Sequence, residues 1–215
     1  MLEIDSVTLT FWDKKILSGC YLNCRQGEIV GMLGRNGTGK SSLLKVIFGS
    51  IKADFKHLKI NGKLIDKAFK SKLIAYLPQE SFLPPFLSVT EIIRQYLLEN
   101  QLSIGQQLLE KVNGLKTGEL SGGELKLVEF LWILNLKTPY ILLDEPFSGI
   151  SPIYVEVLQD LIRDISKTRG ILLTDHLYRP LLEISNRIVL LHNNAVYTIK
   201  NESDLVHYNY IPDYL

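Results

Sequence analysis

The chain has 215 residues, 46% hydrophobic and 22% charged, with a formal net charge of +1. That length suits one well-buried α/β domain or two small ones, and the composition is that of an ordinary globular protein. A near-neutral balance without a long basic run excludes the electrostatic footprint of a nucleic-acid binder, and no stretch reaches the roughly 18 uninterrupted apolar residues of a membrane helix.

The opening "MLEIDSVTLT" lacks the basic and apolar regions of a signal peptide, so the expected location is cytoplasmic, or at a membrane through something else. "LEIDSVTLTF" alternates apolar and polar residues as a half-exposed strand does, and "ILSGCYLNC" reads as a second. Cys20 and Cys24 fall on one face of that second strand. Without partnering His or Cys pairs they read as core thiols, not a zinc site. After Gln26-Gly27 the run "EIVGML" is a buried strand, and it leads into "GRNGTGKSS", residues 34 to 42. "KSSLLKVIFG" then has helical spacing and stops at Gly49. "HLKINGKLI" carries an Asn-Gly hairpin signal, and "KLIAYLPQ" is a strand ended by Pro78.

From Ser81 to Pro139 the character changes. "SFLPPFL" is a stiff loop, and Ser88 with Glu91 forms a capping box for the helix of "VTEIIRQYLLEN". Two further amphipathic stretches follow, "IGQQLLEKV" and "GELKLVEFLWIL". "YILLD" returns to a buried strand. A helix from Pro152 to Ser166, a strand "GILLTD", a short helix around "RPLLEIS" and a hairpin "RIVLLHNNAVYTIK" complete the chain. The expected fold is α/β, one domain over residues 1–215 with a helical insert.

The glycine loop sits between a buried strand and a helix. Its run of Gly34, Arg35, Asn36, Gly37, Thr38, Gly39, Lys40, Ser41 and Ser42 can turn successive N–H groups toward phosphate oxygens. The helix starting near Lys40 adds its positive end to the same anion. Lys40 reaches β- and γ-phosphates and Ser41 offers a hydroxyl to Mg²⁺, so the loop reads as a nucleoside triphosphate site. "YILLDEP" supplies the carboxylates such a site needs. Asp144 ends an apolar strand where it can hold Mg²⁺, and Glu145 can take a proton from attacking water.

"LSGGE", residues 120 to 124, resembles the signature of ATP-binding cassette (ABC) ATPases. Phe11, "GRNGTGKSS", "LPQ" ending at Gln79, "LSGGE", "YILLDEP", "FSGISP" and "TDH" ending at His176 stand in that family's order, over almost the whole chain. The resemblance implies a P-loop NTPase cassette. Its mostly parallel core sheet would carry an N-terminal antiparallel β-subdomain and a short helical subdomain, with residues 1–79 and 140–215 as ATP-binding core and 80–139 helical. It further implies that Phe11 stacks on adenine, with adjacent Trp12 as the alternative. Gln79 would touch the metal or the attacking water, and His176 the γ-phosphate. Ser121, Gly122 and Gly123 would contact the ATP of a second ABC subunit in a head-to-tail dimer, with Mg²⁺ at each ATP. The loop after Gln79, "FLPPFL", would receive integral membrane transporter subunits, leaving the chain peripheral on the cytoplasmic face. The alternatives are a soluble ABC ATPase of the iron–sulfur assembly type and a nucleotide-gated module with little hydrolysis.

Three positions depart from the family pattern: Ser151 where an aspartate is usual, and Leu127 and Trp132 where arginines are frequent. The last two make the helix after the signature more apolar, as a partner surface would be. His57, His192 and His207 lack any motif context and read as surface residues.

Overall fold

The structure, a computed structural model, describes residues 1–97, 110–176 and 178–212. Strand β1 (Leu2–Phe11) pairs antiparallel with β2 (Lys14–Cys24) and with β4 (Phe55–Ile60), which turns into β5 (Lys63–Leu64). Asn61 and Gly62 between the last two have φ of 51° and 77°, the left-handed pair that a tight hairpin turn requires.

The second sheet runs in the order β10-β9-β3-β8-β7-β6. Strands β3 (Ile29–Leu33), β6 (Ile74–Leu77), β7 (Tyr140–Asp144), β8 (Gly170–Thr174) and β9 (Arg187–His192) are parallel, and β10 (Ala195–Ile199) adds to β9 antiparallel. Every residue of β3, β7 and β8 is buried, because both faces of the sheet are covered. The pleat divides them. Ile141, Leu143, Ile171 and Leu173 enter one apolar cluster, while Leu142, Leu172, Val30 and Met32 enter the other, shared with the first sheet.

The described helices are α1 (Lys40–Phe48), α2 (Ala68–Ser71), α3 (Val89–Leu97), α4 (Gly122–Asn135), α5 (Pro152–Ser166), α6 (Tyr178–Ile184) and α7 (Glu202–His207). Neither α2 nor α7 was legible from periodicity, since four and six residues are too few to establish one. At α3 Ser88 Oγ accepts the Glu91 N–H at 3.4 Å, one of the two bonds of the expected capping box. Of the amphipathic stretch "IGQQLLEKV", residues 104–109 lie outside the described residues. No described helix is long and apolar enough to cross a membrane.

Cys20 and Cys24 are both buried and free. Burial, reinforced by the charge of Glu28, pushes the Cys24 thiol up to about 12, so it stays protonated and packs as an apolar group. Three expectations change. Leu127 does not offer a partner surface: it is buried in the core cluster around Val112 and Val128. Trp132 is half-buried and packs against Phe82 of the same chain, ring centroids 6.2 Å apart and planes tilted by 59°, so its apolar character is consumed internally. His192 is not a surface residue either. It is half-buried, with its ring 5.7 Å from that of Tyr208.

The parallel register decides where chemistry can happen. Asp144 lies opposite Thr174, and Leu77 opposite Leu143, so β6, β7 and β8 finish at one edge. β3 finishes there too, with Met32 opposite Thr174. The segments after these strands carry Gly34, Gln79, Glu145 and His176, which is the carboxyl edge where open α/β sheets bind ligands.

Candidate functional site

The loop after β3 closes around a lysine. Lys40 is buried, and its Nζ donates to the carbonyl oxygens of Gly34 at 2.7 Å and Arg35 at 3.2 Å. Gly39 has φ of 106°, and a Cβ there would come within 2.8 Å of Ile16 Cγ2. It precedes α1 without a side-chain cap, and the first turn of α1 has no acidic residue. The opening N–H groups of the helix are therefore presented to an anion. Burial draws the Lys40 ammonium pKa down, against the opposing pull of Glu145, Asp144 and Asp175.

Asp144 is 0% exposed, yet both its oxygens are engaged. Oδ1 accepts from Ser41 Oγ at 3.0 Å and from Thr174 Oγ1 at 2.9 Å, and Oδ2 accepts from the Tyr76 hydroxyl at 2.9 Å. A buried carboxylate without such partners would be costly. Burial and the Asp144 charge raise the Tyr76 pKa, so the phenol remains a donor. Sequence reasoning missed Tyr76 and Thr174. No linear pattern signalled either: Thr174 is set beside Asp144 by the parallel pairing of "YILLD" with "GILLT".

Glu145 follows in left-handed backbone, φ 52°, with its N–H donating to Thr174 O at 2.9 Å. Such a conformation in a non-glycine residue costs about 1–3 kcal/mol and persists where the surroundings impose it. Its Oε2 receives the Gln79 Nε2–H at 2.9 Å, and His176 Nδ1 stands 3.6 Å from the same oxygen. Buried Asp175 accepts the Phe147 N–H at 3.0 Å and so pins the segment after Glu145.

Phe11, Ile16, Asn36, Gly37, Gly39, Lys40, Ser41, Ser42, Gln79, Glu145 and His176 line one cavity of about 400 Å³. Phe11 is 42% exposed at its rim, whereas Trp12 is 99% exposed and does not line it. Gly34, Arg35 and Thr38 act from behind. Gly34 offers its carbonyl to Lys40, Arg35 donates to Asn209 O at 2.6 Å, and Thr38 Oγ1 donates to Arg35 O at 2.8 Å.

Ser121 and Gly123 line a different cavity, of about 340 Å³, with Ser151, Leu127 and Tyr154. Gly122 lies exposed beside it as the first residue of α4. Ser121 caps α4 in a reciprocal box, its N–H and Oγ donating to Glu124 Oε2 at 2.9 and 2.7 Å. Those bonds hold the Glu124 carboxyl below its usual range. The Lys40 loop and the Ser121 loop of one chain thus line separate cavities.

Ser41 and Asp144 are hard oxygen donors in contact, and among the described residues no cluster of three or more His, Cys, Asp or Glu is placed to cage a metal. That donor set fits Mg²⁺, which commonly takes one or two protein oxygens and completes its shell with phosphates and water. Gln79, the other residue read as a metal contact, gives its amide N–H to Glu145 in this structure.

A family model described as "ABC transporter" matches residues 17–148. A lipopolysaccharide export system ATP-binding protein, LptB, of Acidithiobacillus ferridurans is 32% identical over 96% of this chain and 92% of its own. A thiamine import ATP-binding protein, ThiQ, of Photobacterium profundum is 31% identical over 81% of this chain and 78% of its own. Among solved structures, a dimeric ATP-binding cassette in a post-hydrolysis state bound to ADP and Pi superposes with a TM-score of 0.78. It is 21% identical and is matched over 94% of this chain and 100% of its own.

Proposed function

This chain belongs to the ABC transporter family and is an ATP-binding ATPase, and from that premise we propose that it powers a transporter. In this reading it closes head to tail with a second ATPase subunit around two Mg-ATP and drives substrate through separate membrane subunits. The observation that carries the catalytic part is the convergence of Gln79 Nε2 and His176 Nδ1 on one oxygen of Glu145, at the rim of the Lys40 cavity.

Glu145 is the base. It takes a proton as water oxygen bonds to the γ-phosphorus and the bond from that phosphorus to the bridging oxygen breaks, leaving ADP and phosphate. Gln79 and His176 hold Glu145 and the water in place. Lys40, the N–H groups of Asn36 to Ser42 and the start of α1 bind the phosphates. Mg²⁺, held by Ser41 and Asp144 with Gln79 at hand, neutralises phosphate charge when bound. Residues 1–79 and 140–215 serve as the ATP-binding core and 80–139 as the helical subdomain.

Phe11 is the adenine platform. Phe11→Ala should weaken ATP binding by ~1–3 kcal/mol, the usual worth of one stacked base, while Trp12→Ala leaves it unchanged. Calorimetric titration with ATP reads both, and the reverse ranking would move the platform to Trp12.

The partner reading rests on two supports. LptB and ThiQ are by name subunits of an export and an import system. In this chain the segment after Gln79 leaves Phe86 71% exposed and Phe82 40% exposed, an apolar surface of the kind that meets a partner. Membrane subunits seated there would keep the chain on the cytoplasmic face. Isolation of the native complex tests this: a polytopic membrane protein should copurify, whereas soluble assembly factors alone would overturn the transporter reading.

Ser151 stands exposed at the start of α5, beside the Ser121 cavity, without a side-chain cap bond. If the missing carboxylate weakens communication between two sites, Ser151→Asp should raise the Hill coefficient of ATP hydrolysis in the dimer. Aspartate is also a good helix cap, so the fold is kept. Equal Hill coefficients would make Ser151 a neutral replacement.

A further inference from the structure

The segment that carries Gln79 out of β6 has no regular structure until α3, so its peptide groups need partners from elsewhere. Three residues of α4 at a spacing of three hold it, two by bonding its peptide groups and one by packing on a side chain. Lys126 Nζ donates to the Gln79 carbonyl at 2.8 Å. Glu129 Oε1 accepts the N–H groups of Phe82 at 2.7 Å and Leu83 at 3.0 Å. Trp132 packs against the Phe82 ring in a tilted contact. Residues three apart lie on one helix face, so the stripe faces the segment along its length.

The two ionisable members are deeply placed, Glu129 at 0% exposure and Lys126 at 7%. Glu129 Oε2 has no hydrogen-bond partner among the described residues, a cost that an apolar residue at this position would avoid. The segment is also tied on its far side. The Thr117 and Gly118 N–H groups donate to Leu87 O and Pro85 O, both at 2.9 Å, four and three residues ahead of Ser121. Gln79 therefore hangs from the same helix that Ser121 caps.

We propose that Lys126, Glu129 and Trp132 are positioning residues for ATP hydrolysis: they fix the Gln79 segment to α4 and so set the Gln79–Glu145 contact. This inference rests on the reading of Gln79 as a catalytic group.

The test is a double-mutant cycle on ATPase activity at saturating ATP, with Gln79→Ala as reference. Lys126→Met should lower kcat about tenfold or more, since small misplacements of a catalytic group are expensive. ATP affinity should stay within about twofold, well short of a tenfold change. Lys126→Arg should recover most of the rate. The double variant should be no slower than Gln79→Ala alone, because one residue acts through the other. Losses that multiply independently, or wild-type kcat in Lys126→Met, would overturn the stripe. Wild-type kcat in Gln79→Ala would instead overturn the reading beneath it. If Lys126→Met does not fold, Trp132→Leu runs the same cycle with the same expected pattern, since it removes the ring packed against Phe82 at a half-buried position.

Discussion

Glu145→Gln should hydrolyse ATP ~10²–10⁴-fold more slowly than wild type, the range typical of losing a general base. The amide matches the carboxylate in size and still receives or donates a hydrogen bond at Gln79, but it cannot accept the proton from water. Asp144, Ser41 and Lys40 are untouched, so binding should survive. Removing one negative charge beside the phosphates also favours the closed state. ATP then stays between Lys40 of one chain and Ser121 of the other, and the variant should elute from gel filtration as a dimer with ATP. Adding Ser121→Arg should return it to monomer by crowding the nucleotide. Hydrolysis at the wild-type rate cannot be reconciled with Glu145 as the base.

Lys40→Ala should raise the Kd for ATP more than ~100-fold. Two charge-assisted hydrogen bonds at ~1.5–3 kcal/mol each are removed, and ~1.4 kcal/mol is already tenfold. In the structure the Lys40 amine donates to the Gly34 and Arg35 carbonyls of its own loop, so the substitution also removes two bonds that close that loop. Nucleotide-free protein should still unfold cooperatively, which thermal unfolding checks beside the titration. Affinity within about twofold of wild type would remove Lys40 from the phosphate site.

The two loops that carry these substitutions were legible in the chain itself because each lies in a short contiguous motif. "GRNGTGKSS" encloses Lys40 within one strand–loop–helix passage, and "YILLDEP" puts Glu145 directly after a strand end. Local backbone chemistry decides such features. The Asn61-Gly62 turn was readable for the same reason, since few residues accept two consecutive left-handed conformations. Trp132 was legible as an apolar departure but not as to its purpose, because its partner Phe82 lies 50 positions away in the chain.

The sequence by itself determined the α/β order, the buried strands, the glycine-rich loop after β3 and the two adjacent carboxylates. Those follow from periodicity, turn chemistry and residue type within about ten positions. Only the tertiary structure decided which oxygen of Glu145 Gln79 meets, that Tyr76 and Thr174 share Asp144, that Phe11 rather than Trp12 lines the cavity, and that α4 holds the Gln79 segment. Each of those is a contact between residues distant in the chain. Their distances are set by strand register and helix packing, and a linear pattern carries no direct record of either.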